Sequence, residues 1–380
     1  MKNIAIFHPS TELYGADRIM VNAANAMREG NITIYLPKEG PLIEFIHKNL
    51  PNADVKIVDF MPVIQRSMFS LTGIKTALKY YRKFKSYFKS EHKNKNFDLV
   101  YVNTLACSLC LPLLNRNKYK VIVHVHEILE HPKIVAKVTA KLASKYADRV
   151  VCVSDAVKQN LLNYTKDADK IIVLRNGIDP IDREIQLPNM QVEFFLFGRI
   201  KPEKGQWYLI EALKKINPNT LELAHFNLVG GTAAGRDDLL YDLKAKIKSY
   251  ELEEFISLIG FTENITPLIS SADVCLIPSQ MKDPFPTTVL EAMSIGKTII
   301  TTDTGGAKEA VINGESGLII PPDDPQKFAD AIEFCIQNRY EAKDLGYNAR
   351  DRFEENFTLE HFNLKWRKLI AKLFSQNGKN

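Results

Sequence analysis

The feature that most constrains this chain is a regular alternation of short apolar runs with longer helical ones. Runs rich in β-branched and aromatic residues occur at Lys2–Phe7, Ile32–Leu36, Val55–Val58, Leu99–Asn103, Val121–His124 and Val150–Val153. Between them lie stretches with apolar residues at helical spacing: Ala16–Arg28, Pro41–Leu50, Ile74–Lys89, Ala106–Leu114, Pro132–Tyr146 and Asp155–Tyr164. A short apolar run without polar alternation must be covered on both faces, and intervening helices provide that cover. The pattern therefore predicts a parallel, doubly wound α/β sheet. It pauses at Pro180–Gln191, a proline-containing linker of mixed charge, and then restarts. Strands are predicted at Glu193–Phe197, Ala224–Val229, Phe255–Ile259, Asp273–Ile277, Thr298–Thr301 and Leu318–Ile320, with helices at Gln206–Lys215, Pro325–Asn338, Glu341–Glu355 and Leu359–Phe374. The expectation is two α/β domains, residues 1–185 and 190–357. At 380 residues each is large enough to bury its own core.

Charge and cysteine usage narrow the function classes. Fifty basic against 45 acidic residues leave +5, too mild for a nucleic-acid-binding domain. Five cysteines form no disulfide framework, and the pair Cys107 and Cys110 lacks the second pair or nearby histidine that a zinc site needs. The opening MKNIAIFHPS has too few apolar residues for a signal peptide, and no apolar run approaches a membrane span. These features predict a cytoplasmic protein without a metal site.

In doubly wound sheets ligands gather at the carboxyl ends of strands, so polar residues just past those ends are the candidates. Tyr14-Gly15-Ala16-Asp17-Arg18 follows the first strand; its glycine fits either a backbone approach to phosphate or a plain turn. Asn103 closes the fourth strand, and the fifth runs into His124-Val-His126-Glu127. A histidine there is either a structural hydrogen-bonder or a ligand contact, and Glu127 either orients it or caps the next turn. In the second half, Gly198-Arg-Ile-Lys-Pro-Glu-Lys-Gly205 places Arg199 and Lys204 between a strand and a helix. These cations either face water or stabilise an anion. Gly260-Phe261 is a further strand end. Residues 74–95 carry eight lysines and arginines beside Ile74, Ala77, Leu78, Tyr81, Phe84 and Phe88. This helix is either core-packed with a solvated basic face or a surface that docks on an anionic membrane.

The stretch Ser279–Glu309 is the densest in candidate chemistry. A strand ending at Pro278 leads into a loop with Asp283, Phe285 and Pro286, and a helix starts near Thr287–Thr288. Glu291 then lies about one turn inside. Unpaired N–H groups of the first turn suit a phosphate, and the carboxylates of Asp283 and Glu291 suit sugar hydroxyls. Paired carboxylates also serve metal sites and hydrolases, but no further carboxylate clusters with ligand spacing.

Asp283-Pro-Phe-Pro-Thr-Thr-Val-Leu-Glu291-Ala-Met-Ser-Ile-Gly296, followed by Gly305-Gly-Ala-Lys-Glu309, resembles the donor-site signature of the GT-B glycosyltransferases of family 4, the glycosyl transferases group 1. The family pattern has glutamate at 283 and glycine at 286; this chain has Asp283 and Pro286. Gly198–Gly205 resembles the family's Gly-Arg…Lys-Gly loop, Asn176-Gly-Ile-Asp179 the turn before its linker, and Tyr14-Gly15 its Gly-Gly loop. The resemblance implies a GT-B architecture, two Rossmann-like doubly wound domains facing across a cleft, with the last helix, 358–380, packing back on the first. It implies a retaining, metal-independent glycosyltransferase that needs no cofactor and moves a hexosyl or deoxyhexosyl group from a UDP- or GDP-linked donor to a hydroxyl acceptor in polysaccharide or glycolipid assembly. Arg199, Lys204, Thr287 and Thr288 would hold the diphosphate, with Gly15 nearby. Gly260 and Phe261 would border the base, Glu291 would bind the ribose, and Phe285 would belong to the donor pocket. His126 and Asp283 would serve catalysis, His126 by donating a hydrogen bond to a sugar hydroxyl. Tyr14, Arg18, Asn103 and Glu127 would line the acceptor side. A lipid-linked acceptor would bring 74–95 to the inner face of the membrane. A non-catalytic nucleotide-sugar binder and a sugar-nucleotide epimerase or phosphorylase on the same fold are the alternatives.

Overall fold

The computed structural model describes the chain except residues 66, 67, 69, 115–117, 183–189, 234, 263 and 376–380. It forms two compact units, Met1–Asn176 together with the segment from Leu359, and Gly177–Thr358. The first contains β1 (Asn3–Phe7), α1 (Gly15–Ala26), β2 (Asn31–Leu36), α2 (Leu42–Asn49), β3 (Asp54–Ile57), α3 (Leu71–Lys95), β4 (Leu99–Asn103), β5 (Lys120–Val125), α4 (Lys133–Tyr146), β6 (Arg149–Cys152), α5 (Asp155–Leu162) and β7 (Ile171–Val173). All neighbours in its sheet are parallel, in the order β3-β2-β1-β4-β5-β6-β7. Every residue of β4 is buried, as a strand covered on both faces requires.

Strand alternation sends side chains to two separate layers. Ile4 and Ile6 join Ile19, Met20, Ala23, Leu42 and Trp366 on one face. Phe7 and Tyr35 turn the other way, and Phe7 meets Phe84 and Phe88 of α3 edge-on at 5.4 and 5.0 Å. The apolar stripe of 74–95 therefore divides: Phe84 and Phe88 are core, while Ile74 and Leu78 are about half exposed, at 49% and 54%.

The second unit contains β8 (Val192–Phe197), α6 (Gln206–Leu213), α7 (Pro218–Leu221), β9 (Ala224–Val229), α8 (Asp237–Ser249), β10 (Ile256–Ile259), α9 (Thr266–Ser271), β11 (Val274–Ile277), α10 (Thr287–Ile295), β12 (Thr298–Thr302), α11 (Ala307–Ala310), β13 (Leu318–Ile320), α12 (Pro325–Gln337) and α13 (Arg339–Asn356). Its parallel sheet has the order β10-β9-β8-β11-β12-β13. The last helix, α14 (Leu359–Ser375), belongs to the first unit and buries Phe362, Trp366, Leu369 and Leu373 there.

Several elements differ from the sequence reading. The stretch Ala106–Leu114 is a 3-10 helix, Leu105–Leu113, because Pro112 inside it has no N–H for an α-helical bond. Cys107 and Cys110 are buried thiols in it, pushed upward in pKa mainly by burial. The first unit ends at Asn176 rather than 185. Past that point the backbone is already bonded to the second unit, Ile178 N to Phe357 O at 3.1 Å and Ile181 N to Ser294 Oγ at 2.7 Å. Most of the linker expected at Pro180–Gln191 lies outside the described residues.

Candidate active site

In each sheet the strand order reverses once, between β1 and β4 in the first unit and between β8 and β11 in the second. At such a reversal the loops leave in opposite directions and open a crevice beyond the strand ends. Most candidate residues lie at or beside these two places; Gly260 and Phe261 follow the edge strand β10.

In the second unit, three loops meet past the reversal. The loop after β8 turns through Gly205 at φ +91°, where a Cβ would overlap the carbonyl oxygen of Pro278. That loop can therefore lie against the end of β11 only with glycine at this position. Gln280 N donates to Glu203 O at 2.9 Å and ties the two loops together. Lys204 then reaches Asp283, Nζ to Oδ2 at 2.7 Å, with the side chains only 27% and 16% exposed. The third loop follows β12. Gly305 sits at φ +56° with its Cα against the backbone of Asp283, and Gly306 N donates to Asp283 O at 2.7 Å. Thr302 and Thr304 donate their hydroxyls to Ser279 O at 2.6 and 3.1 Å. The Gly-Gly motif thus fixes where Asp283 stands.

Beyond Asp283 the chain enters α10 with Pro286 as its N-cap and no side-chain cap. Since an N-cap needs no N–H inside the helix, Pro286 leaves the first-turn amides of Thr287 and Thr288 in place. Both threonines are half-buried. Glu291 follows one turn later beside β11, where its charge acts on the Cys275 thiol; burial dominates there and pushes that thiol up to about 12. Phe285 is buried against Phe357, ring centroids 5.9 Å apart, so it anchors the loop instead of presenting a face to solvent. Arg199 is exposed, and its carbonyl accepts from Gln206 Nε2 at 3.1 Å. Gly260 and Phe261 lie in the loop after β10, with the Phe261 ring 75% exposed.

In the first unit a buried polar chain crosses the reversal. Asp17 accepts from Tyr14 N at 2.8 Å through Oδ2 and contacts His8 Nε2 at 2.7 Å through Oδ1. His8 Nδ1 lies 2.8 Å from Asn103 Nδ2, and Asn103 Oδ1 lies 2.9 Å from His126 Nε2. Tyr101 donates its hydroxyl to the same oxygen at 2.7 Å and contacts His124 Nδ1 at 2.8 Å. Burial lowers both histidines at the end of β5, His124 well below the usual range and His126 to about 3. A proton on the neighbouring ring, His126 for His124 and His8 for His126, would act in the same direction.

Sequence reasoning missed His8, Asp17 and Tyr101, although a carboxylate three residues after a helix N-cap is a readable signal. Asn103 is fully buried with both ends of its amide engaged by protein atoms, so it holds other side chains and does not line an acceptor surface. Glu127 likewise accepts from Leu105 N at 3.1 Å and His126 N at 3.0 Å; it fixes the start of the 3-10 helix. Burial raises its pKa despite those bonds. Gly15 opens α1, Tyr14 is exposed, and Arg18 Nε donates to Leu13 O at 3.3 Å beside the Phe45 ring.

Comparison with known proteins accords with this layout. The model described as Glycosyltransferase Family 4 matches residues 15–181, and that described as Glycosyl transferases group 1 matches residues 178–352. The alpha-1,3/1,6-mannosyltransferase ALG2 of Dictyostelium discoideum is 24% identical, covering 98% of this chain and 98% of its own length. Glycogen synthase of Mycobacterium tuberculosis is 29% identical over half of this chain and 45% of its own. Among solved structures, Anabaena HepE in complex with UDP superposes with a TM-score of 0.81 at 23% identity, covering 99% of this chain and 100% of that one. Sucrose-phosphate synthase of Thermosynechococcus elongatus gives 0.80 at 21% identity, over 99% and 100%. The chain therefore has the GT-B two-domain α/β fold and belongs to the glycosyl transferases group 1, the family 4 type of glycosyltransferase.

Proposed function

We propose that this protein transfers a hexosyl or deoxyhexosyl group, with retention at the anomeric carbon, from a UDP- or GDP-linked donor to a hydroxyl acceptor in polysaccharide or glycolipid assembly. The observation that carries the reading is the meeting of Lys204 and Asp283 just before the open N-terminus of α10, at the β8–β11 reversal. Breaking a sugar–diphosphate bond puts negative charge on the leaving oxygen. The Lys204 ammonium, Arg199 and the first-turn amides of Thr287 and Thr288 stabilise it in a half-dry setting. Asp283 accepts from donor-sugar hydroxyls once Lys204 turns to the phosphate, Glu291 accepts from the two ribose hydroxyls, and Phe261 stacks on the base. The departing phosphate oxygen takes the acceptor's proton on the face it leaves, so no protein nucleophile is assigned. His126 contacts a sugar hydroxyl. The UDP and UDP-glucose complexes of HepE and the mannosyltransferase name of ALG2 support a nucleotide-sugar donor.

A lipid-linked acceptor fits the first unit's surface. Ile74 and Leu78 of α3 are exposed among Lys75, Lys79 and Arg82, and Ile134 and Val138 of α4 among Lys133, Lys137 and Lys141. Apolar side chains within a basic field suit an anionic bilayer, where each cation adds about 1 kcal/mol. Among the described residues no helix is long and apolar enough to cross a membrane, so contact would be peripheral. A panel of nucleotide sugars with and without hydroxyl acceptors tests the function. Acceptor-dependent release of nucleoside diphosphate, with an anomeric configuration matching the donor, supports it; binding without turnover, or an isomerised sugar, refutes it.

A further inference from the structure

The direction of every hydrogen bond in the buried chain of the first unit can be read from its fixed ends. Asn103 Nδ2 also faces the carbonyl oxygen of Ala16 at 3.4 Å, which accepts only, so this atom is the amide nitrogen and Oδ1 is the oxygen. The oxygen then accepts from Tyr101 O–H and from His126, which must carry its proton on Nε2. The nitrogen donates to His8 Nδ1, which is therefore bare, and His8 donates through Nε2 to Asp17. Tyr101, having spent its proton, accepts from His124 Nδ1. That leaves His124 Nε2 as a lone pair, and it is the one atom of this ring without a hydrogen-bond partner in the structure. Buried acceptors are left unpaired more readily than buried donors, so both ends agree.

We propose that Asp17 is a positioning residue which, through His8 and Asn103, holds His126 in the Nε2–H tautomer and leaves Nδ1 as a bare acceptor. The proposal rests on the reading above in which His126 contacts a sugar hydroxyl, distinct from the acceptor hydroxyl whose proton the phosphate takes. It reverses the role expected from sequence: His126 receives a hydroxyl hydrogen and does not give one. Asp17 can set this direction because both its oxygens are acceptors, one committed to Tyr14 N and the other to His8. In Asp17→Asn the remaining oxygen must stay on Tyr14 N, so the new NH2 faces His8 Nε2. His8 would move its proton to Nδ1, and Asn103 would flip, giving up its 3.4 Å contact to the Ala16 carbonyl. Its NH2 would then donate to His126 Nε2 and to the Tyr101 oxygen, turning the Tyr101 hydroxyl to His124 Nδ1 and placing the His126 proton on Nδ1.

The test uses the full chain labelled with 15N-histidine, with the His126 signal identified by its loss in His126→Gln. The wild type is expected to show a protonated Nε2 and bare Nδ1; Asp17→Asn is expected to show the reverse, and Asp17→Glu to resemble the wild type. A wild-type His126 protonated on Nδ1, which needs no variant to observe, would overturn the proposal, as would an unchanged tautomer in a folded Asp17→Asn. In parallel, Asp17→Asn should lower kcat about tenfold or more with donor KM within about twofold, and Asp17→Glu should recover it. If the tautomer inverts while kcat is unchanged, the relay stands and the placement of His126 at a sugar hydroxyl is overturned.

Discussion

Replacing Lys204 by methionine separates charge from packing. The Lys204 stem lies over Gly198, with Cγ and Cδ 3.6 Å from where a Cβ would stand there, so methionine keeps the contact and removes only the ammonium. The ion pair lost with it spans 2.7 Å between groups that are 27% and 16% exposed. A pair this accessible is worth about 1 kcal/mol net, because desolvation offsets most of the attraction. For a unit of this size that lowers Tm by roughly 2–4 °C. The catalytic cost is larger if the ammonium faces charge that develops on the leaving diphosphate. Removing one such donor costs roughly 10²–10³-fold in kcat, about 3–4 kcal/mol. The assay is nucleoside diphosphate release with acceptor present, alongside thermal unfolding. A variant that keeps turnover within about threefold would refute the reasoning, since an ion pair with no part in the reaction predicts only the small stability loss.

Gly305→Ala should be worse for the site than for the fold: its Cβ would come within 2.6 Å of the Asp283 nitrogen at φ +56°, displacing Asp283 at a cost of about 1–3 kcal/mol. Donor KM should rise together with a fall in Tm, and unchanged KM would count against the Asp283 assignment. Phe261→Ala should raise donor KM about tenfold, the value of one aromatic–base stack, with Tm unchanged because the ring is already 75% exposed. Acid stability should follow the buried histidines. Both are held neutral in the fold, while the unfolded chain takes up protons below 6.5. Their contribution is complete above that pH and is lost as pH falls from 6.5 towards about 3. Burial raises Glu127, which acts in the opposite sense and removes stability as pH rises above 4.5. Urea midpoints between about pH 4 and 7 should rise with pH in the wild type, and His126→Gln should flatten that slope.

The parallel sheets were legible because each strand is a continuous apolar run. Leu99–Asn103, Ala224–Val229 and Leu318–Ile320 occupy the residues expected from sequence. Elements with weak local signals were not. Ile171–Val173 has only three residues and is a strand because β6 stands beside it. Asp237–Ser249 is a helix whose mixed charge hides its buried Leu243 and Ile247. The candidate residues were visible as strand-end loops, but their mutual contacts join positions far apart in the chain. Lys204 and Asp283 are 79 residues apart, and His8 and Asn103 are 95. No local pattern encodes such pairs; they follow from which strands are neighbours. For the same reason the hydrogen bonds that hold Asn103 and Glu127 inside the first unit have no local signal in the sequence.

The account depends on phosphate binding where the loops after β8 and β11 meet. The most direct measurement is a crystal structure of the protein with UDP or GDP bound. The account predicts β-phosphate oxygens about 3 Å from Lys204 Nζ and from the amides of Thr287 or Thr288, with Lys204 drawn off Asp283. A diphosphate seated elsewhere, with Lys204 still paired to Asp283, would contradict it.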